Sequence, residues 1–277
     1  MNNMRNLLLI LFSVFVLSNI IAQKAAFVLG HVDTLYSKTL GEKRVLNIFL
    51  PTGYSPDSAH TYPVIYLLDG AADEDFIHIA GLVQFASFPW VEHLQPSILV
   101  GIANTDRKRD FTYTSASGFK FPPELAAYQN AHKNAGGSAH FMDFVEKELQ
   151  PYIDQAYKTN TERTLIGQSL AGLMATEFLL KKPQLFNKYI IMSPSLWWDN
   201  ESLLRIEPTQ PRPGTKVYIA VGKEGKMMEN DARKLAKILQ KSQKFPSLLF
   251  EFLPEEDHGT ILHPAVGRAF KWMKDTQ

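Results

Sequence analysis

Two residues of this sequence combine a reactive side chain with a position just after an apolar run. Ser169 follows TLIGQ and precedes the helix-like stretch LAGLMATEF, and His258 follows SLLFEFLPEED. A serine hydroxyl becomes a nucleophile when a neighbouring histidine removes its proton. The two positions therefore predict nucleophilic catalysis through a covalent intermediate. The alternative for Ser169 is a structural role as the cap of the following helix.

Small residues surround Ser169, as a sharp turn from a strand into a helix requires. Gly167 lies two positions before it, and Ala171 and Gly172 lie two and three positions after it. The usual nucleophile elbow has glycine where Ala171 stands, and alanine is small enough for the same close approach. The motif is short and also arises by chance, so its place in the fold must carry the interpretation.

An acidic residue normally orients the catalytic histidine, and three carboxylates follow the apolar run KVYIAVG. We favour Glu224, which comes directly after the run, over Glu229 and Asp231. Carboxylates at the start of a helix also have a structural explanation, because they complement the helix dipole. The nearest rival to His258 is His263, five residues further along the chain.

Backbone N–H groups should stabilise the oxyanion that forms when a nucleophile attacks a carbonyl. We expect one from Leu170, directly after the nucleophile, and one from Ala71, directly after YLLDG.

Two further segments follow apolar runs and carry side chains suited to substrate binding. In ANTDRKRDFTYT, Arg107 and Arg109 could bind an anionic or phenolate-like group, or could instead pair with the neighbouring aspartates. In SPSLWWDNES, Trp197 and Trp198 could wall an acyl pocket, or could simply pack over the core.

The elements that must position these residues are buried strands alternating with helices. Six apolar runs predict strands: YPVIYLLDG, PSILVGIANTD, TERTLIGQS, KYIIMSPS, KVYIAVGKEG and SLLFEFLPEEDHG. Residues 27–50 predict an antiparallel hairpin ahead of them. The pattern indicates an α/β fold whose mostly parallel sheet has helices on both faces. Ligands bind at the carboxyl ends of such strands, where the candidate residues fall.

The bulk composition fits one exported globular domain. Residues 1–22, with an apolar run over 7–17, predict a secretory signal peptide rather than a membrane anchor. Residues 23–277 are predicted to form a single domain.

The charges of residues 23–277 are balanced. Removing Arg5 from the 29 basic residues of the whole sequence leaves 28 basic against 28 acidic residues, a net charge of 0. This balance favours no nucleic-acid partner, and no membrane partner after cleavage. With no cysteine and no HExxH motif, the sequence predicts no metal and no cofactor.

In order, YPVIYLLDG, NTDRKRDFT, GGSAHFMDFVEKELQPYID, IGQSLAGL, SPSLWW and EEDHGT resemble the putative-esterase family of α/β-hydrolases. That family includes siderophore esterases acting on enterobactin-type trilactones, feruloyl esterases, S-formylglutathione hydrolases and mycolyltransferases. The resemblance covers nearly all of residues 23–277. It implies an α/β-hydrolase fold with Ser169 as nucleophile, His258 as base, and Ala71 and Leu170 as oxyanion donors.

Within the family, the RxRD and SPSxWW segments are most similar to the siderophore-esterase branch. The acid is variable in that branch and some members use a Ser–His pair alone, so the resemblance leaves open Glu224, Glu229, Asp231 or no acid. Gln168 stands where a histidine is common in the family.

Together these observations predict a secreted or periplasmic serine carboxylesterase. Its expected substrate is a small-molecule or carbohydrate-linked ester, such as a siderophore trilactone or an aromatic acyl ester. The alternatives are acyl transfer to a sugar or alcohol, and a non-catalytic binding protein on the same fold.

Overall fold

The structure is a computed structural model that describes residues 25–276, apart from the side chains of residues 128, 131 and 132. The signal peptide predicted over 1–22 lies outside the described residues.

The described residues form an eight-stranded sheet in the order β1-β2-β4-β3-β5-β6-β7-β8. The strands are β1 His31–Ser37, β2 Glu42–Phe49, β3 Tyr62–Leu68, β4 Ile98–Ile102, β5 Thr159–Gln168, β6 Lys188–Met192, β7 Lys216–Gly222 and β8 Ser247–Leu253. Pairings of β2 with β1 and with β4 are antiparallel, and the other neighbours run parallel. The predicted mostly parallel sheet with an antiparallel N-terminal hairpin is confirmed.

Helices cover both faces of this sheet, as predicted. They are α1 Phe76–Ala86, the short α2 Arg107–Asp110, α3 Ser138–Phe144, α4 Gln150–Ala156, α5 Leu170–Lys181, α6 Lys226–Ser242 and α7 Leu262–Asp275. Short 3₁₀ helices span Pro123–His132 and Ser202–Arg205, and a π-helical turn at Val145–Leu149 joins α3 to α4. Helices α1 and α7 pack on one face, and α3 to α6 pack on the other.

The central strands are apolar along their whole length because both of their faces are covered. In β3, Tyr66 and Leu68 face the layer that contains α5, whereas Ile65 and Leu67 face α1 and α7. All seven residues of this strand are buried. Strand β8 differs from its prediction as a strand buried on both faces, since most of it is half-buried at the edge of the sheet.

The parallel strands bring distant segments together at one edge of the sheet. Ala71 follows β3, Ser169 follows β5, Ser193 follows β6, Glu224 follows β7, and His258 follows β8. Because the carboxyl ends of parallel strands meet at one edge, this topology positions the candidate site.

Candidate active site

Ser169 occupies a strained turn between β5 and α5. Its backbone has φ 62° and ψ −121°, a region that residues other than glycine rarely adopt and that costs about 1–3 kcal/mol. The turn is sharp because strand and helix approach closely. A Cβ on Gly167 would lie 2.3 Å from the carbonyl oxygen of Ala171. The small residues around Ser169 thus have a steric cause, and the turn has the shape of a nucleophile elbow.

The Ser169 hydroxyl lies next to a second hydroxyl. Its Oγ is 3.5 Å from Oγ of Ser195, and the backbone N–H of Ser195 donates to the Ser169 carbonyl at 3.0 Å. The backbone N–H of Ser169 donates to the Met192 carbonyl at 3.1 Å, so the turn is tied to the end of β6.

Glu224 and His258 form a hydrogen-bonded pair. Oε2 of Glu224 lies 2.5 Å from Nδ1 of His258. The Glu224 side chain is 3% exposed, whereas that of His258 is 48% exposed and faces the cavity described below. The carboxylate is therefore placed to hold the imidazole in one orientation and one tautomer.

The other carboxylate oxygen of Glu224 is also satisfied. Oε1 accepts hydrogen bonds from the Ser193 hydroxyl and from the backbone N–H of Gly222, the latter at 3.0 Å. Burial opposes ionisation, but the hydrogen bonds from His258 and Ser193 outweigh it and lower the pKa of Glu224 below its ordinary value. Glu224 thus stays anionic at neutral pH, as an orienting acid requires.

The two alternative acids and the rival histidine lie elsewhere. Glu229 accepts a hydrogen bond from the backbone N–H of Gly225 at the start of α6, at 3.1 Å. Asp231 is buried in α6 beside Lys234, and burial first and the charge of Glu201 second raise its pKa to about 6. His263 lies in α7 with its ring against His78, 4.3 Å between centroids.

The two expected oxyanion donors differ in their surroundings. Leu170 begins α5, and the first N–H groups of a helix have no acceptor within the helix. The backbone N–H of Ala71 instead donates to Oε2 of Glu74 at 3.1 Å. The other oxygen of Glu74 accepts from Nδ2 of Asn104 at 2.9 Å. An ester carbonyl that used Ala71 would have to replace the Glu74 carboxylate.

The structure does not bring Arg107 and Arg109 into the cavity lining. Arg107 forms a two-point ion pair with Asp69, at 2.6 and 2.7 Å. Arg109 contacts Glu42 at 2.6 and 3.1 Å and Asp110 at 2.8 Å. Both guanidinium groups pair with carboxylates and anchor the loop after β4, which accounts for their absence from the cavity lining.

The two tryptophans separate. Trp197 is 8% exposed and lines the cavity with Ser169. Trp198 is 2% exposed, and its indole N–H donates to the Tyr113 carbonyl at 2.9 Å while its ring packs against Phe119. The first therefore walls the cavity, and the second supports that wall from behind.

Four of the candidate residues, Ser169, Glu224, His258 and Trp197, line one cavity of about 850 Å³, whereas Ala71, Leu170, Arg107, Arg109 and Trp198 are not among its lining residues. Its lining includes Ser169, Glu224 and His258, together with Trp197, Leu125, Met227, Met228, Lys223 and Lys226. The lysines and methionines were not singled out from the sequence, although Lys223 directly follows β7 and so meets the strand-end criterion. Both lysine side chains are exposed, and among the described residues neither forms an ion pair.

Neither a membrane-spanning helix nor a metal site is found between residues 25 and 276. No helix in this range has the length and apolar content to cross a bilayer. The range also contains no group of three or more His, Asp or Glu side chains arranged to hold a metal ion.

Solved structures are similar to this fold, and curated proteins are similar to this sequence. An IroE-like serine hydrolase from Shewanella oneidensis aligns with a TM-score of 0.78 and 30% identity, covering 90% of this chain and 81% of the other. The BES protein from Bacillus cereus aligns at 0.77 and 27%, covering 92% and 99%. The ferri-bacillibactin esterase BesA of Bacillus subtilis (strain 168) is 31% identical over 188 residues, 65% of this chain. That match spans 64% of BesA, just under two thirds of its length.

A family profile described as "Putative esterase" matches residues 37–260. The matched range begins at the end of β1 and includes Ala71, Ser169, Glu224 and His258. The protein therefore belongs to the putative esterase family of the α/β-hydrolase fold.

Proposed function

We propose that the protein is a serine carboxylic ester hydrolase that acts through an acyl-enzyme on Ser169. The observation that carries this proposal is the shared cavity: the strained Ser169 turn and the hydrogen-bonded pair of His258 and Glu224 line the same space. A nucleophile, a base and an orienting acid are the groups that acyl transfer needs.

In the proposed reaction, Nδ1 of His258 stays on Glu224, which leaves Nε2 to take the proton from the Ser169 hydroxyl. Ser169 Oγ forms a bond to the ester carbonyl carbon, and the bond from that carbon to the alcohol oxygen breaks. The alcohol leaves with the proton that His258 carried. A water then attacks the acyl-enzyme with His258 again as base, which releases the acid and restores Ser169.

The oxyanion of each tetrahedral intermediate would accept hydrogen bonds from the backbone N–H groups of Leu170 and Ala71. The N–H of Leu170 is oriented by the start of α5. The N–H of Ala71 becomes accessible when the exposed Glu74 side chain turns away.

The proposed substrate is an aromatic acyl ester or a siderophore-type trilactone. The cavity has apolar walls from Trp197 and Met227 and two cations, Lys223 and Lys226, near its catalytic groups. Aromatic rings with phenolate or carboxylate groups match this combination. BesA, which is 31% identical to this chain over 188 residues, is named as a ferri-bacillibactin esterase, and this similarity supports the proposed substrate class.

We also propose that the protein is exported, because residues 1–22 have the layout of a signal peptide. N-terminal sequencing of the protein from a fractionated culture tests this. Export predicts a mature start close to residue 23 in the periplasm or medium, and retention of Met1 in the cytoplasm would contradict it.

The Ser169→Ala variant tests the central proposal. It should lose p-nitrophenyl ester hydrolysis and labelling by a fluorophosphonate, because both reactions need the serine oxygen. The matched control is Ser195→Ala, which removes the neighbouring hydroxyl and should retain fluorophosphonate labelling. Undiminished hydrolysis by Ser169→Ala, with an unchanged thermal melt, would contradict the assignment.

A panel of acetyl, butyryl, feruloyl and catecholate-trilactone esters tests the substrate class. We expect the aromatic esters to exceed the acetyl ester in kcat/KM by at least about tenfold, the discrimination that a shaped pocket supplies. Lys223→Gln combined with Lys226→Gln should lower kcat/KM for the catecholate ester and leave the acetyl ester unchanged. Equal rates across the panel would contradict the proposed class.

A further inference from the structure

Gln168 links the nucleophile turn to the histidine loop. It is the last residue of β5 and directly precedes Ser169. Its side-chain Nε2 donates a hydrogen bond to the backbone carbonyl oxygen of His258, which is 90 residues away along the chain. One side chain thus spans the gap between the two proposed catalytic residues.

The loop that carries His258 has other supports, but they lie on the acid side. The backbone N–H of Lys223 donates to the Glu256 carbonyl at 2.7 Å, and Glu224 holds the imidazole. Asp257 accepts from the backbone N–H groups of Gly259 and Thr260, at 2.8 and 3.1 Å, which only closes the loop on itself. Among the described residues, the hydrogen bond from Gln168 is the one that joins this loop to the Ser169 turn.

Gln168 is itself held on a rigid element. Its backbone continues the pairing of β5 with β6, opposite Met192. Its carbonyl oxygen accepts from Arg107 at 3.5 Å, and Arg107 is fixed by its ion pair with Asp69. The anchor point of the contact is therefore better fixed than the exposed loop that it holds.

On this basis we infer that Gln168 is a positioning residue that sets the distance between the His258 imidazole and the Ser169 hydroxyl. The inference rests on the proposed function of these two residues. Proton transfer needs the two groups within hydrogen-bond reach, and a displacement of about 1 Å can lower a rate by about 100-fold. Gln168 acts through the His258 backbone and does not need to contact the substrate.

The test replaces the amide donor and keeps the length of the side chain. Gln168→Met should lower kcat for a p-nitrophenyl ester by about 10- to 100-fold and leave KM within about twofold, since geometry and not ground-state binding is lost. The rate of inactivation by a fluorophosphonate should fall in parallel, because it also needs the activated serine.

Gln150→Met is the matched control. Gln150 is buried, and its side-chain amide donates to the Leu185 carbonyl at 3.2 Å, away from the catalytic cavity. The Gln150→Met variant loses the same kind of hydrogen bond, so its melting temperature should change while its kcat stays at the wild-type value. A kcat for Gln168→Met within twofold of the wild-type value would overturn the inference.

A second variant covers the case in which Gln168→Met does not fold. Gln168→Glu keeps the shape of the side chain and replaces the donor with an acceptor that repels the His258 carbonyl. It should also move the acidic limb of the kcat profile to higher pH, because a carboxylate near the imidazole favours its protonated form. An unshifted profile together with wild-type kcat would contradict a positioning role.

The outcomes for Ser169 and Gln168 separate the two proposals. If Ser169→Ala remains active, the proposed function itself fails. If Ser169→Ala is inactive and Gln168→Met has wild-type kcat, only the positioning role fails.

A rescue variant completes the test. Gln168→His restores an N–H donor at this position and should recover part of the rate lost in Gln168→Met.

Discussion

The acid–base half of the site, formed by His258, Glu224 and Ser193, differs from the oxyanion half around Ala71 and Glu74. In the acid–base half, the hydrogen bonds are ones that the proposed reaction keeps, since Glu224 holds His258 and is held by Ser193. In the oxyanion half, the N–H of Ala71 donates to the Glu74 carboxylate, which the substrate carbonyl would have to replace in the proposed reaction. In the proposed mechanism, the acid–base half is assembled before the substrate binds, whereas the oxyanion half is completed when the substrate carbonyl replaces Glu74 at the Ala71 N–H.

The two halves also differ in exposure and charge. The Glu224 side chain is 3% exposed and its pKa is lowered, so its charge is well compensated. Glu74 is exposed and lies close to Asp69 and Asp75. Burial first, and then the charges of Asp69 and Glu74, raise the pKa of Asp75 to about 6. The oxyanion half thus carries an excess of negative charge.

The largest effect should follow from breaking the assembled half. Glu224→Gln should lower kcat by about 10²- to 10⁴-fold, because the imidazole loses the anion that fixes its tautomer and stabilises its protonated form. Steady-state kinetics with a p-nitrophenyl ester measures this. Glu229→Gln is the control, since that residue only caps α6. A Glu224→Gln enzyme with wild-type kcat would remove the acid from the mechanism.

A smaller effect of opposite sign should follow from clearing the other half. Glu74→Ala should raise kcat/KM by about 2- to 10-fold, which corresponds to the net value of about 0.5–1.5 kcal/mol for one hydrogen bond. Asp73→Ala removes an exposed charge one residue earlier and should leave kcat/KM unchanged. An unchanged or lower value for Glu74→Ala would show that Glu74 does not compete with the substrate carbonyl.

The smallest effect concerns stability and pH in the crowded half. Because the folded-state pKa of Asp75 is raised from 3.8 to about 6, the folded protein binds this proton more tightly than the unfolded chain. Stability from the protonated form is complete below about 3.8 and is lost as the pH rises through about 6. Asp75→Asn should therefore raise the Tm above pH 6 and have little effect below pH 4.

Thermal melts across this pH range check the prediction. The Asp75 side chain makes no cap hydrogen bond at the start of α1, so the amide loses no contact there. Asp73→Asn serves as the exposed control. A Tm gain that is independent of pH would show that the ionisation of Asp75 is not its cause.

The sequence alone was sufficient for the sheet and for the strand-end positions of the proposed catalytic residues. Buried parallel strands appear as continuous apolar runs, and their carboxyl ends converge, so Ser169 and His258 could be placed together without coordinates. The choice of Glu224 over Glu229 and Asp231 stayed open, and the tertiary structure pairs Glu224 with His258. The small residues beside Ser169 likewise follow from a local steric demand. The half-burial of β8 was not predictable, because strand order decides which strand lies at an edge.

Only the tertiary structure decided which polar groups are engaged with one another. Arg109 pairs with Glu42, 67 residues away along the chain, and Gln168 donates to the His258 carbonyl, 90 residues away. The N–H of Ala71 donates to the Glu74 carboxylate. Lys223 lines the cavity with Ser169 and forms no ion pair with a carboxylate among the described residues. Apolar patterns are local and periodic, whereas the partner of a charged or polar side chain depends on segments that folding alone brings together.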